Sequence, residues 1–153
     1  MKAEIVSTET ILKHAADRCG ALGERFTAQR RQVLSLILAH DEPVTAYQLL
    51  DRLREEMPGA QPPTVYRALE FLQRVGLIHR IDATNSYLPC AMECCGEHHD
   101  MPPQLLVCNR CGKATELALP EGVYETLAES AQKAGFELGD KPLALNGVCE
   151  HCH

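Results

Sequence analysis

Long apolar runs are missing from the sequence. No segment approaches the roughly 18 consecutive apolar residues that a membrane-spanning helix needs, and the charged Met-Lys-Ala-Glu opening lacks the apolar core of a signal peptide. We therefore expect a cytoplasmic protein without a membrane partner. Because thiols stay reduced in that compartment, the eight cysteines of the chain are not expected to form structural disulfides.

An excess of positive charge is also missing, since the net charge is −6. Residues 1–82 carry 11 Lys and Arg against 11 Asp and Glu, whereas residues 83–153 carry 4 against 10, so the surplus of acid lies in the second half. This balance argues against strong non-specific binding to nucleic acid. A neutral first half that contains many arginines can still present one basic face to phosphate groups.

The sequence also lacks a recognisable set of catalytic residues. No Ser/His/Asp combination and no pair of catalytic carboxylates stands out in the sequence. An enzyme, such as a thiol oxidoreductase or a zinc hydrolase, is therefore the weaker alternative. We expect a protein with no catalytic activity and no small-molecule substrate.

The first half predicts helices followed by a hairpin. Apolar residues at helical spacing predict helices at residues 8–19, 28–40 and 62–76, and another that begins after the N-cap Thr45 and stops at Pro58. Two strands at residues 77–82 and 86–90, joined by Ala83-Thr84-Asn85, predict the hairpin. This order is typical of a winged helix-turn-helix, in which the last helix enters the DNA major groove. An ordinary helical domain gives the same pattern.

Residues 91–103 predict a linker, because they have no hydrophobic period and contain several potential metal ligands. Beyond them we predict strands at residues 105–107 and 114–119, a helix at residues 121–134, and a final strand within residues 136–145. The predicted fold class is α+β, with a winged-helix domain at residues 1–90, the linker, and a small α/β domain at residues 104–153. A domain of about 50 residues is expected to need a staple or a partner chain.

Two Cys-x-x-Cys knuckles are the strongest signal in the chain. Cys108-Asn-Arg-Cys111 and Cys149-Glu-His-Cys152 supply four thiolates, which suit a closed, tetrahedral structural zinc site. The 37 residues between the knuckles exceed zinc-finger spacing, so the metal would tie the start of the second domain to its end. The alternatives are cysteines that fill a core, or a redox pair, which favours a single knuckle at the start of a helix.

Further potential metal ligands surround the linker. They are His79 on the first predicted wing strand, Cys90 at the end of the second, His98 and His99 in the linker, and Glu116 beyond the first knuckle. Because these donors lie far apart in the sequence, their spacing alone does not define a site. A histidine on a strand is more usually a surface residue or one with an ordinary hydrogen bond.

Six short motifs extend over nearly the whole chain. They are Phe26-Thr-Ala-Gln-Arg30, Ala46-Tyr-Gln-Leu-Leu50, Pro62-Pro-Thr-Val-Tyr-Arg-Ala-Leu69, Thr84-Asn-Ser-Tyr87, Cys108-x-x-Cys-Gly112 and Cys149-x-x-Cys152. In these motifs the sequence resembles the ferric uptake regulator family, and most closely its zinc uptake regulator branch. The third motif is far more specific than helical periodicity, so the resemblance favours the winged helix over an ordinary helical domain.

The resemblance implies a homodimer that binds AT-rich, palindromic double-stranded DNA when a metal sensor site is filled. It assigns one structural Zn²⁺ to the four knuckle cysteines and one regulatory Zn²⁺ to His79, Cys90, a linker histidine and Glu116. The linker is longer than in its relatives, so alignment does not separate the two linker histidines, and we place His99 ahead of His98. A cysteine at position 90 indicates the zinc branch, because a thiolate favours zinc over ferrous iron.

The resemblance also indicates a DNA-binding face. Tyr47 and Arg67 match family positions that read or grip DNA. Our further candidates for contacts with bases or phosphates are Thr64, Tyr66, Gln73, Arg80 on the wing, and Arg30 or its neighbour Arg31. The resemblance thus implies a repressor of zinc uptake genes, and our hypothesis is that its regulatory Zn²⁺ sets the separation of the two recognition helices. The alternatives are a regulator of the same family that senses Fe²⁺ or peroxide, and a zinc-ribbon interaction module that does not bind DNA.

Overall fold

The computed structural model describes residues 7–90, 104–117, 119–139 and 142–153. It divides into two compact units, Met1–Met92 and Glu93–His153. The predicted linker ligands His98 and His99 lie outside the described residues. No helix in the described part of the chain is long and apolar enough to cross a membrane.

Four helices make up most of the first unit, and local sequence signals mark where they begin. Their bounds are Thr8–Ala21 (α1), Ala28–Leu38 (α2), Ala46–Glu56 (α3) and Pro62–Arg74 (α4). The side chains of Ser7 and Thr27 accept hydrogen bonds from the first turns of α1 and α2. At α3, Thr45 and Gln48 form a complete capping box, which satisfies two backbone N–H groups that the helix leaves unpaired. The four predicted helices are therefore confirmed, and α2 ends two residues earlier than expected.

A three-stranded antiparallel sheet completes the first unit. Its strands are Val44–Thr45 (β1), Ile78–Ile81 (β2) and Ser86–Pro89 (β3), in the order β1-β3-β2. The predicted hairpin is confirmed, and Asn85 allows its tight turn by adopting a φ of 49°, a conformation that Asn tolerates well. Sequence reasoning missed β1, which has only two residues.

The core of the first unit lies between the helices and the sheet. Its fully buried side chains include Leu34, Ile37, Leu49, Leu69 and Leu72. Burying one such side chain stabilises the fold by roughly 1.5–3 kcal/mol. Because α4 directs its apolar residues into this core, its opposite face remains available to a partner.

The second unit is a smaller sheet with one helix. Its elements are Gln104–Cys108 (β4), Ala114–Leu117 (β5), Val123–Lys133 (α5), Leu143–Gly147 (β6) and a 3-10 helix at Glu150–Cys152. The sheet has the order β5-β4-β6, with β4 antiparallel to β5 and parallel to β6. Of the predicted strand at residues 114–119, Ala114–Leu117 form β5, and the final strand continues two residues beyond the predicted stretch, to Gly147. With its helices and mostly antiparallel strands, the chain has the predicted α+β fold class.

Candidate metal centres and nucleic-acid interface

The second unit brings the four knuckle cysteines together. Cys108 ends β4, and a tight turn closed by the hydrogen bond from Gly112 N–H to the Cys108 carbonyl, 2.9 Å, returns the chain past Cys111. The parallel strand β6 runs beside β4 and leads to Cys149, and the 3-10 helix then brings in Cys152. The four Sγ atoms lie within 4.8 Å of one another.

The separation of these sulfurs fits zinc. Cys111 Sγ and Cys149 Sγ are 3.8 Å apart. Zn–S bonds of about 2.3 Å in a tetrahedron place the sulfurs about 3.8 Å from one another. Four thiolates fill every position of a tetrahedral zinc ion, and such a closed site is the type that proteins use to hold structure.

Hydrogen bonds within the cluster give its thiols different pKa values. The backbone N–H groups of Cys149, Cys111 and Arg110 lower the pKa of Cys108 to about 5, and two of them, from Cys149 and Arg110, lie 3.4 Å from its sulfur. Side-chain hydrogen bonds with Cys149 and Cys111 raise the pKa of Cys152 to about 12. A metal cation that binds to the cluster would displace the protons that its thiols carry.

A second pair of donors lies on the wing of the first unit. His79 occupies the middle of β2, and Cys90 follows β3, where its backbone N–H donates to the Leu77 carbonyl at 3.0 Å. A ring nitrogen of His79 and the Sγ of Cys90 lie within 4.8 Å of each other. Cys90 is buried. The wing therefore presents an imidazole and a thiol that can bind one metal ion together.

The remaining predicted sensor residues belong to the second half. Glu116 is a half-buried residue of β5, opposite Leu105 of β4. The linker histidines lie outside the described residues. Their participation with the wing residues in one site stays a prediction.

Polar and aromatic side chains cover the outer face of the helix-turn-helix. Tyr47, in the first turn of α3, is 72% exposed, and Tyr66 on α4 is 53% exposed. Arg67 and Gln73 are also exposed, and Thr64 is half-buried at the beginning of α4. Large exposed aromatics beside an arginine are suited to contacts with bases and phosphates.

Arg80 and Arg30, which are also predicted to contact DNA, make contacts within the chain. At the wing turn, Arg80 Nη2 donates to Asn85 Oδ1 at 2.8 Å, and its Nε lies 3.5 Å from Asp82 Oδ1. Arg30 donates to the Arg25 carbonyl, and its guanidinium carbon lies 3.5 Å from the centre of the Phe71 ring. Sequence reasoning missed this cation–π contact, because Phe71 lies on α4, far from Arg30 along the chain. A DNA contact by Arg30 stays a prediction.

The chain is similar to known metal-dependent regulators. The model of the ferric uptake regulator family matches residues 21–146. The zinc uptake regulation protein of Escherichia coli (strain K12) is 38% identical over 152 residues, which cover 97% of this chain and 85% of that protein. A solved structure of a zinc uptake regulator complexed with zinc and DNA has a TM-score of 0.83 at 37% identity, covering 96% of this chain and 95% of that one. The crystal structure of holo XcZur has a TM-score of 0.77 at 33% identity, covering 95% and 98%.

Proposed function

Because the chain belongs to the ferric uptake regulator family, we propose that it is a zinc-responsive transcriptional repressor of zinc uptake genes. It acts in the cytoplasm as a homodimer on palindromic, AT-rich double-stranded DNA. The observation that carries this proposal is that one unit contains both a candidate metal-binding wing, the hairpin β2–β3, and an exposed reading face on α3 and on the reading helix α4. His79 lies on β2 of the wing and Cys90 directly follows β3, and Tyr66 and Arg67 lie on α4, the helix directly before the wing.

We assign a structural Zn²⁺ to the four knuckle cysteines. Their number, chemistry and separation suit a closed tetrahedral site, which leaves no position for a metal-bound water. Such a site supports folding. A zinc hydrolase needs an open coordination position for water, which four cysteine ligands do not leave. This assignment gives the first of two Zn²⁺ per chain.

We assign the second, regulatory Zn²⁺ to His79 and Cys90, with Glu116 and His99, or His98 in its place, as the further ligands that the resemblance implies. An imidazole and a thiolate favour zinc over the harder Fe²⁺, which prefers carboxylate and imidazole donors. The chemistry of the donors therefore favours a zinc sensor over an iron sensor of the same fold. Zinc bound there would supply a rigid link from the wing to the other ligands.

DNA recognition is assigned to the face formed by α3 and α4. Arg67, Tyr66, Thr64 and Gln73 are proposed to contact the major groove and its phosphates, with Tyr47 and Arg80 at the flanks and Arg30 near the backbone. A homodimer reads two half-sites when its recognition helices stand about 34 Å apart. A metal that favours the DNA-competent arrangement must strengthen DNA binding by the factor with which DNA strengthens metal binding, about 5- to 150-fold.

Zinc-dependent binding to upstream promoter DNA, with metal counted per chain, tests the proposal. We expect tight binding with two Zn²⁺ per chain and much weaker binding once the labile zinc is removed. Fe²⁺ in place of Zn²⁺ as the effective ion would instead identify an iron sensor. Equal binding at all zinc concentrations would contradict regulation by zinc, and an absence of binding would indicate an interaction module.

The variant Cys90→Ser isolates the regulatory site. It should lose zinc-dependent operator binding yet remain a folded dimer with one Zn²⁺ per chain, because the knuckle cysteines are intact. Cys19→Ala is the matched control, since it removes a fully buried core thiol of the same unit. A Cys90→Ser protein that lost both metals, or that responded normally to zinc, would contradict the assignment.

A further inference from the structure

Arg18 of α1 is bound to the backbone at the point where α4 ends. Its Nε donates to the Val75 carbonyl at 2.5 Å, across 57 residues of sequence. Arg18 is half-buried, and Val75 is the C-cap residue of α4. The last carbonyls of a helix have no partner within it, and a cation near the C-terminus is stabilised by the helix dipole. Arg18 therefore supplies both a donor and a positive charge to the end of α4.

The turn beneath Arg18 has little freedom to change shape. Gly76 turns the chain with a φ of 77°, and a Cβ at this position would lie 3.0 Å from Arg18 Nη2. The Leu77 N–H closes the turn by donating to the Leu72 carbonyl at 2.9 Å. The guanidinium is therefore packed directly over the turn that follows α4.

This turn joins the reading helix to the metal-binding wing. Before it lie Arg67 and Gln73 on α4, and His79 follows Gly76 by three residues. The carbonyl of Leu77 accepts the hydrogen bond from the Cys90 N–H at 3.0 Å. Both wing donors are thus attached to the backbone immediately beyond the turn that Arg18 covers.

We propose that Arg18 is a positioning residue for operator recognition, which fixes the angle at which α4 passes into the wing and so transmits the metal state of His79 and Cys90 to the reading helix. This inference rests on the proposed function. It does not require a direct DNA contact, because Arg18 acts through the bond from its Nε to the Val75 carbonyl. Its consequence is that loss of Arg18 weakens the coupling between zinc and DNA more than it weakens DNA binding without zinc.

The test compares Arg18→Ala with Arg18→Lys and with the control Lys13→Ala, which removes an exposed charge from the same helix. Operator affinity is measured with and without zinc at a temperature where all variants are folded. Residues that connect coupled sites change the coupling by about 2- to 30-fold, and we expect Arg18→Ala to reduce the zinc-dependent gain within this range. Arg18→Lys, which keeps the charge, should recover part of the gain, and Lys13→Ala should match the wild type.

Amide hydrogen exchange gives a readout that does not depend on DNA. Arg18→Ala should speed exchange at Leu77 and Cys90, whose hydrogen bonds surround the turn, and leave amides in the middle of α2 unchanged. Uniform acceleration across the unit would indicate a general loss of stability and would overturn the proposal.

The remaining outcomes separate this inference from the proposed function. A wild-type protein without zinc-dependent binding would defeat the proposed function itself. A zinc-dependent wild type with an indistinguishable Arg18→Ala variant would overturn the inference alone. If Arg18→Ala lost the same operator affinity with and without zinc, and its binding depended less on salt, Arg18 would be a phosphate contact. This result would also overturn the inference. Should Arg18→Ala fail to fold, the zinc-dependent gain of Arg18→Lys decides, and a wild-type value would contradict the proposal.

Discussion

The first unit buries aliphatic side chains from all four helices and its sheet, including Leu34, Leu53 and Leu72. In the described part of the second unit, the buried apolar residues are Leu105, Val107 and Cys108, and no described residue of α5 is buried. One unit is therefore stabilised by a hydrophobic core, whereas the described part of the other buries little apolar surface. The second unit must obtain its stability from other sources.

Two features of the second unit are suited to this role. The four-cysteine cluster joins the end of β4 to the end of the chain. The second feature is an exposed apolar surface: Leu106 and Leu145 are register partners on neighbouring strands and are 39% and 51% exposed, and Val148, 40% exposed, lines the same shallow depression. Contiguous exposed apolar surface marks interaction sites. Small domains commonly need a metal staple or a partner chain, so we expect the second unit to use both features.

Loss of the structural metal should produce the largest difference in stability between the two units. In Cys108→Ser, one of four thiolates is missing, so we expect the second unit to lose its zinc and its fold, because structural zinc sites stabilise small domains that are unfolded without metal. The first unit should remain folded on its hydrophobic core. Amide hydrogen exchange resolved by residue measures both units in one experiment.

Cys19→Ala serves as the control for this comparison, because it removes a thiol that lies in the core of the first unit. It should reduce the stability of that unit modestly and leave the metal content unchanged. If the amides of β4 and β6 stayed protected from hydrogen exchange in zinc-free Cys108→Ser, the second unit would not depend on the four-cysteine zinc site for its fold.

A charge on the exposed apolar surface should have the next largest effect. In Leu145→Asp, dimerisation would bury an unpaired carboxylate, at a cost on the order of 3–5 kcal/mol, so we expect a shift from dimer to monomer. Leu22→Asp is the matched control, since Leu22 is an apolar residue of the first unit that is 55% exposed. Sedimentation equilibrium measures both, and a Leu145→Asp protein that remained fully dimeric would place the dimer contact elsewhere.

The elements that sequence reasoning found depend on neighbouring residues. Thr27 and Thr45 mark helix starts because their hydroxyls bond to backbone three residues away, and Gly76 marks the end of α4 because the turn requires a positive φ. The cysteine knuckles were recognisable for the same reason, since each pair lies within four residues. Helix caps, the glycine turn and the cysteine pairs can therefore all be recognised from residues that are close together in the sequence.

What sequence reasoning missed depends on residues that are distant in the chain. Val44 and Thr45 form a strand only because Tyr87 and Ser86 lie beside them. The contact of Arg18 with Val75 joins residues 57 positions apart. The parallel pairing of β4 with β6 is equally non-local, and it explains how the two knuckles meet. No pattern within a short segment encodes these partners, so a single sequence does not reveal them.

The smallest of these effects should come from the reading face, where a variant changes binding without changing either unit. Arg67→Ala should weaken operator binding by about 1–3 kcal/mol if Arg67 contacts a base, and the loss should be greatest at one base position. Lys13→Ala, which removes an exposed charge from α1, should leave sequence preference unchanged. Binding to a set of operators with single base changes measures both variants. A uniform loss across all operators would make Arg67 a phosphate contact, and unchanged affinity would remove it from the interface altogether.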